Sequence, residues 1–177
     1  MKIIQKTIRK AYNNWTPTRL IRCYHYAAAY DGTKLIGFTQ NNPIKTHTGA
    51  YKIGEDFNLP KYKEFPFYHA ESHLVSKLLD RYNTIDPNWS IVVMRINRKG
   101  LILGSKPCEN CSKLLNSVGL TDIYYSTDCG NFSDSFGILT TANELTVPMS
   151  NEKIITVQSQ SPHNLRRIRQ LITARRR

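Results

Sequence analysis

At 177 residues, 40% hydrophobic and 10% aromatic, the chain fits one globular domain with enough material for a real core. Its apolar runs are far too short to cross a membrane, and no apolar leader follows Lys2, so neither a transmembrane span nor a signal peptide is expected. Four cysteines make no disulfide framework, which suits a reducing, intracellular compartment.

The net charge of +12 is unevenly placed. Residues 1–30 carry Lys2, Lys6, Arg9, Lys10, Arg19 and Arg22 with no acid, and residues 153–177 carry seven Lys or Arg with no acid. The stretch between them is close to neutral. Two basic ends of this size suit a polyanion such as DNA, because each neutralised phosphate releases counterions. Solvated tails are the other reading of the same charge.

In chain order, residues 2–13 read as a short basic helix with Ile3, Ile4 and Ile8 on one side, or as an arm. Arg22 to Tyr30 reads as a first strand, Asp31-Gly32 as a hairpin turn, and Leu35, Ile36 and Phe38 as a second strand. The hairpin leads to Asn41, placed to form a pocket wall. Residues 45–66 read as a long loop, in which Lys45, His47, Lys52, Lys61 and Lys63 alternate with Tyr51, Phe57, Tyr62 and Phe65. Such alternation suits a single strand, since cations track phosphate while rings stack on bases; packing of the rings over the core is the alternative. Arg22, Tyr24, Tyr51 and Tyr68 are candidate contacts, and His47 is expected to be exposed on its loop.

A helix is predicted from about His69 to Tyr82, with Leu74, Val75, Leu78 and Leu79 as its apolar face. Ile91 to Ile96 is the most strand-like run and should be central. Asn97 to Gly100 turns, and a second helix starting at Pro107 packs through Leu114, Leu115 and Val118, stopping at Gly119. Ile123 to Ser126 is the fourth strand. Asp128-Cys129-Gly130 predicts a tight turn into an antiparallel fifth strand over Phe132–Ile138; the composition of 128–153 is poor for the helix that a parallel fifth strand needs. Ile154 to Val157 reads as a last edge strand. Ser161-Pro162 then opens a basic amphipathic helix carrying Arg166, Arg167 and Arg169.

Two short stretches carry chemistry. His69-Ala70-Glu71 and Pro107-Cys108-Glu109-Asn110-Cys111 together read H-x-E followed by P-C-x-x-C, the signature of zinc deaminases. Cys108 and Cys111 on one helical turn, with His69, make three ligands and leave a fourth position open, the layout of a catalytic zinc. Zinc lowers the pKa of bound water from ~15.7 to about 7. Glu71 is not needed as a ligand, and its role would be to take the proton of that water and pass protons to the ring nitrogen and the leaving amine. A zincin motif would need Glu directly after the first His, so His73 is read as a helix-face residue. Cys23 and Cys129 are read as free thiols.

On these motifs, with Ser105-Lys106 just ahead of the second, the sequence resembles the cytidine deaminase superfamily over roughly residues 20–140. The gap of 35 residues between Glu71 and Pro107 is long for that family. Asn41-Asn42-Pro43-Ile44 resembles the substrate-contacting segment of the tRNA adenosine deaminase branch. The resemblance implies an α/β fold of three α-β-α layers with a central mixed sheet of about five strands; the turn at Asp128-Cys129-Gly130 favours an antiparallel fourth and fifth. It also implies substrate contacts from Asn41, Ala70, Ser105, Pro107, Tyr125 and Ser126; the aromatic and basic stretches add Tyr68 as a candidate substrate contact and Arg22, Lys45, His47, Arg166, Arg167 and Arg169 as candidate nucleic-acid contacts. The expected organisation is a basic N-terminal arm or helix (1–19), a zinc deaminase domain (20–160) and a basic C-terminal helix (161–177). The leading expectation is conversion of cytosine to uracil in DNA by base flipping. A free nucleotide deaminase, an RNA adenosine or cytidine deaminase, and a non-enzymatic nucleic-acid-binding protein keeping a relic zinc site remain as alternatives; the intact Glu71 argues against the last.

Overall fold

The structure is a computed structural model. It describes residues 2–128 and 130–134, together with the backbone of three later strands at 139–140, 145–149 and 153–157. Cys129, Arg166, Arg167, Arg169 and the expected C-terminal helix lie outside the described residues.

The chain opens with α1 (Lys2–Asn14), then the hairpin of β1 (Cys23–Asp31) and β2 (Lys34–Gln40). β3 (Asn42–Thr46), α2 (Thr48–Asp56), α3 (Pro60–Glu64) and β4 (Phe67–Tyr68) follow. Next come α4 (Ala70–Tyr82), β5 (Ser90–Asn97), β6 (Ile102–Leu103), α5 (Glu109–Ser117) and β7 (Ile123–Ser126). The last described strands are β8 (Phe132–Asp134), β9 (Leu139–Thr140), β10 (Leu145–Met149) and β11 (Lys153–Val157).

The main sheet has the order β2-β1-β5-β7-β8-β9, with β6 paired to the end of β5. Its β5–β7 pair is parallel, joined by the α5 crossover, and the other pairs are antiparallel. The sheet is therefore mixed and β5 is central, as its run of β-branched residues predicts. β7 and β8 are antiparallel across a connection closed by the Thr127 N–H to the Asn131 carbonyl (2.7 Å).

Side-chain parity divides the sheet into two faces. Tyr24, Tyr26, Ala28 and Tyr30 of β1 join Val92, Met94 and Ile96 of β5 against Ile4, Ile8, Ala11 and Tyr12 of α1. The residues of opposite parity, Ala27, Ala29, Ile91 and Val93, pack against Leu74, Val75 and Leu78 of α4 and Leu114 and Leu115 of α5. Helix, sheet and helices thus form three layers. α5 stops at a left-handed Gly119 (φ 82°), where the Gly119 and Leu120 N–H groups bond to the Asn116 and Leu115 carbonyls. A side chain there would be strained, which is why glycine ends the helix.

Three sequence expectations are corrected. Residues 45–66 are not a loop: α2 buries Ala50 and Ile53, and α3 buries Tyr62. Twenty structureless residues in a compact domain are rare, and Ala50, Ile53 and Phe57 already stand at helical spacing. The second zinc-motif helix starts at Glu109, with Cys108 as its N-cap, so Pro107 precedes the cap instead of opening the helix. Residues 154–157 do not extend the main sheet; β11 pairs with β10 in a separate two-stranded ribbon.

Candidate metal centre and active site

Two helix starts build the centre. His69 is the N-cap of α4 and Cys108 the N-cap of α5, both in extended backbone, and Cys111 lies in the first turn of α5. The positive end of α5 favours the thiolate form that binds metals. His69 Nδ1 lies 3.3 Å from Cys111 Sγ and 3.6 Å from Cys108 Sγ, and the three donor atoms all fall within 4.8 Å of one another. Tetrahedral ligands on metal bonds of 2.0–2.3 Å stand roughly 3.5–3.8 Å apart. The group could therefore hold a metal ion with little movement, and its imidazole and sulfur donors match what zinc takes.

The cluster is polarised. Hydrogen bonding from Cys111, and then from His69, pulls the Cys108 thiol down to about 3. Cys111 is pushed up by its bond to Cys108 and by burial. His69 is raised mainly by its hydrogen bond to Cys108. Cys111 is also in contact with Tyr62 of α3, whose hydroxyl lies 3.1 Å from its sulfur. The Tyr62 ring meets the His69 ring edge-on at 5.7 Å.

Glu71 stands in the first turn of α4, buried and outside the donor set. Burial raises its pKa, in the direction that lets a carboxyl both accept and return a proton near neutrality. Ala70, between His69 and Glu71, is fully buried, and its carbonyl accepts the Thr39 hydroxyl at 2.7 Å. That bond ties the start of α4 to β2.

The sheet face beneath the centre changes character along its length. Ala29, Ile91 and Ile123 form one cross-strand row, and Ala27, Val93 and Tyr125 the next. The row after that begins with His25 opposite Arg95. His25 is half-buried, and burial, Arg95 and then His69 lower its pKa to about 4. Arg95 Nε is buried with no hydrogen-bond partner among the described residues. Arg95 lines a cleft of about 400 Å³ with Gly104, Lys106, Tyr125, Thr127 and Asp128.

His25, Arg95 and Tyr62 were not singled out as site residues from the sequence. The first two had a readable signal. Each takes a polar place at the parity that carries alanine, isoleucine or valine elsewhere in its strand.

The remaining expected contacts divide. Asn41 is half-buried and locked onto β1: its Oδ1 accepts the His25 N–H, and its own N–H donates to the His25 carbonyl, both at 3.0 Å. Ser105 and Ser126 are buried, and their hydroxyls are bonded 2.9 Å from each other and to the carbonyls of Val93 and Leu103. They hold the segment before Pro107 against β5 and β7. Tyr125 is half-buried on the metal-side face, and Pro107 is half-buried beside Cys108. Arg22 and Lys45 are exposed. Tyr24 lies on the opposite face of the sheet, its hydroxyl engaged with Thr18.

His47 is not an exposed loop residue. It is the half-buried N-cap of α2, tilted against the Tyr68 ring at 4.7 Å. Tyr68 in turn stacks on His73 at 4.5 Å. Tyr68 thus has two histidine rings against it, which leaves it little surface for a base. His73 faces Gln40, its Nδ1 lying 3.2 Å from that carbonyl, and takes no part in the metal group. Of the aromatics in 45–66, Tyr51 and Phe65 are exposed.

Among the described residues no helix is long and apolar enough to cross a membrane. Comparisons with protein-family models, with curated proteins and with solved structures find no match to this chain.

Proposed function

We propose that this protein is a zinc-dependent hydrolytic deaminase with a cytidine-deaminase-like fold, and that it converts cytosine to uracil in DNA. The observation that carries this reading is the convergence of His69, Cys108 and Cys111 within 4.8 Å, with a buried Glu71 two residues from the histidine and outside the donor set. A structural zinc site closes with four protein ligands, whereas three leave room for a reactant.

Zinc, when bound by these residues, would supply water acidic enough to act as a nucleophile at neutral pH. Glu71 takes up a proton at its carboxylate and returns it to the ring nitrogen, then serves the departing amine in the same way. Its burial excludes bulk water from that exchange. Ser105 and Ser126 fix the backbone leading into Pro107 and Cys108, and Asn41 fixes the edge of β1 beside His25. DNA as the substrate is supported by the charge of +12 and by the cations at this end of the sheet, Arg22, Arg95, Arg98 and Lys106. The target base would be flipped or already unpaired, at a cost of a few kcal/mol that backbone contacts must offset.

The test is release of ammonia by the zinc-loaded protein from matched substrates: cytosine in single-stranded DNA, duplex DNA and RNA, and free deoxycytidylate. Deamination of DNA that disappears in Glu71→Ala supports the reading. Turnover confined to deoxycytidylate or to RNA would overturn the assignment to DNA, and no turnover of any of them would overturn the enzyme.

A further inference from the structure

We propose that the cleft lined by Arg95 and Lys106 is a phosphate subsite, which receives the phosphate nearest the reacting nucleotide; the inference rests on the deaminase reading for its substrate and deepens it. Arg95 and His25 face each other on the metal-side face of the sheet, and Lys106 precedes the ligand Cys108 by two residues. The cleft therefore adjoins the metal centre.

Its chemistry suits an oxyanion. Arg95 Nε is buried and has no hydrogen-bond partner among the described residues, and a guanidinium N–H is costly to leave unmade. Guanidinium binds phosphate through paired N–H groups, while the Lys106 ammonium adds a compact charge. The hydroxyl of Ser126 lies 2.7 Å from the Leu103 carbonyl and accepts the backbone N–H of Arg95 at 3.3 Å, so its bond to Arg95 is to the main chain and not to the guanidinium. Among the described residues of the lining Asp128 is the one anion, and its Oδ1 accepts the Gly104 N–H at 2.7 Å. The lining keeps a net positive charge. A Cβ at position 104 would lie 2.9 Å from that carboxylate, so glycine is what lets Asp128 sit against the backbone.

A phosphomonoester and a phosphodiester offer this cleft the same oxygens, and the ligand separates them. The zinc-loaded wild type, Arg95→Gln and Lys106→Gln are titrated calorimetrically with deoxycytidine, with deoxycytidine 5′-monophosphate, and with a trinucleotide that has a central deoxycytidine and no terminal phosphate. The expected result is a loss of roughly 10- to 100-fold in affinity for a phosphate-bearing ligand in each variant, with deoxycytidine unchanged. Loss confined to the monophosphate names a monoester subsite, and loss on the trinucleotide names a diester subsite; either supports the proposal. Unchanged affinity for both phosphate ligands, or an equal loss for deoxycytidine, overturns it. Lys106 is exposed, so Lys106→Gln carries the test if Arg95→Gln does not fold. Phosphate-dependent binding through Arg95 with no ammonia released from any substrate would sink the deaminase and leave the subsite standing.

Discussion

His25 and Arg95 are directly paired across the β1–β5 ladder, and burial together with the charge of Arg95 holds His25 neutral, its pKa down at about 4. An unfolded histidine titrates near 6.5. Below that pH the unfolded chain binds a proton that the folded chain refuses, so stability falls as pH drops from about 6.5 to about 4 and the slope vanishes below. The full effect is up to about 3 kcal/mol. Urea midpoints of the metal-free protein at pH 7.5 and 4.5 should fall further for the wild type than for His25→Asn. Equal falls would show that His25 does not titrate in this way.

Glu71→Gln keeps the shape of the side chain and removes its capacity to take up a proton. Turnover should drop by about 10²- to 10⁴-fold, the range of general acid–base catalysis. Metal content, measured by mass spectrometry, should stay at the wild-type value because Glu71 stands outside the donor set. A variant that loses its metal along with its activity would make Glu71 a ligand.

Removal of metal should destabilise the fold. Binding at a free concentration a thousand times the dissociation constant adds about 4 kcal/mol, which at this chain length corresponds to about 10 °C in melting temperature. Scanning calorimetry with zinc and with chelator checks the shift. Cys111→Ala should abolish it, and the wild-type shift should shrink in acid because a thiol must lose its proton to bind.

Gly49→Ala probes the aromatic array beside the centre. A Cβ at position 49 would fall on the Tyr68 hydroxyl, well inside van der Waals contact. Tyr68 is held by ring contacts to His47 and His73, so the clash cannot be relieved by a free rotation. The expected cost is about 1–3 kcal/mol, read from the urea midpoint. A midpoint within ~0.5 kcal/mol of wild type would mean that Tyr68 moves freely.

Much of this architecture was legible from residue order. Ile91 to Ile96 announced a central strand, Asp31-Gly32 a hairpin, and His69, Cys108 and Cys111 a cluster that could hold a metal ion. That cluster was legible because metal chemistry demands few residue types at tight spacing. Residues 45–66 misled because cations alternate with aromatics along that stretch, while the apolar positions that anchor α2 and α3 pack on neighbours distant in sequence. His25 and Arg95 were hidden for a related reason: on their own strands they read as ordinary polar positions. Their meaning depends on register, which places them opposite each other and beside Tyr125's strand. Ser105 and Ser126 show the converse: the resemblance placed them at the substrate, and packing bonds their hydroxyls to each other and to the Val93 and Leu103 carbonyls.

The docking of α1 sets an order of assembly. Its apolar side rests on Tyr24, Tyr26 and Tyr30 of β1 but also on Met94 and Ile96 of β5. During synthesis the helix emerges first, and at about 5–20 residues per second its second supporting strand follows only several seconds later. Until then Ile4, Ile8 and Tyr12 have no finished surface to cover, and the nascent chain displays a basic amphipathic segment to whatever surrounds the ribosome.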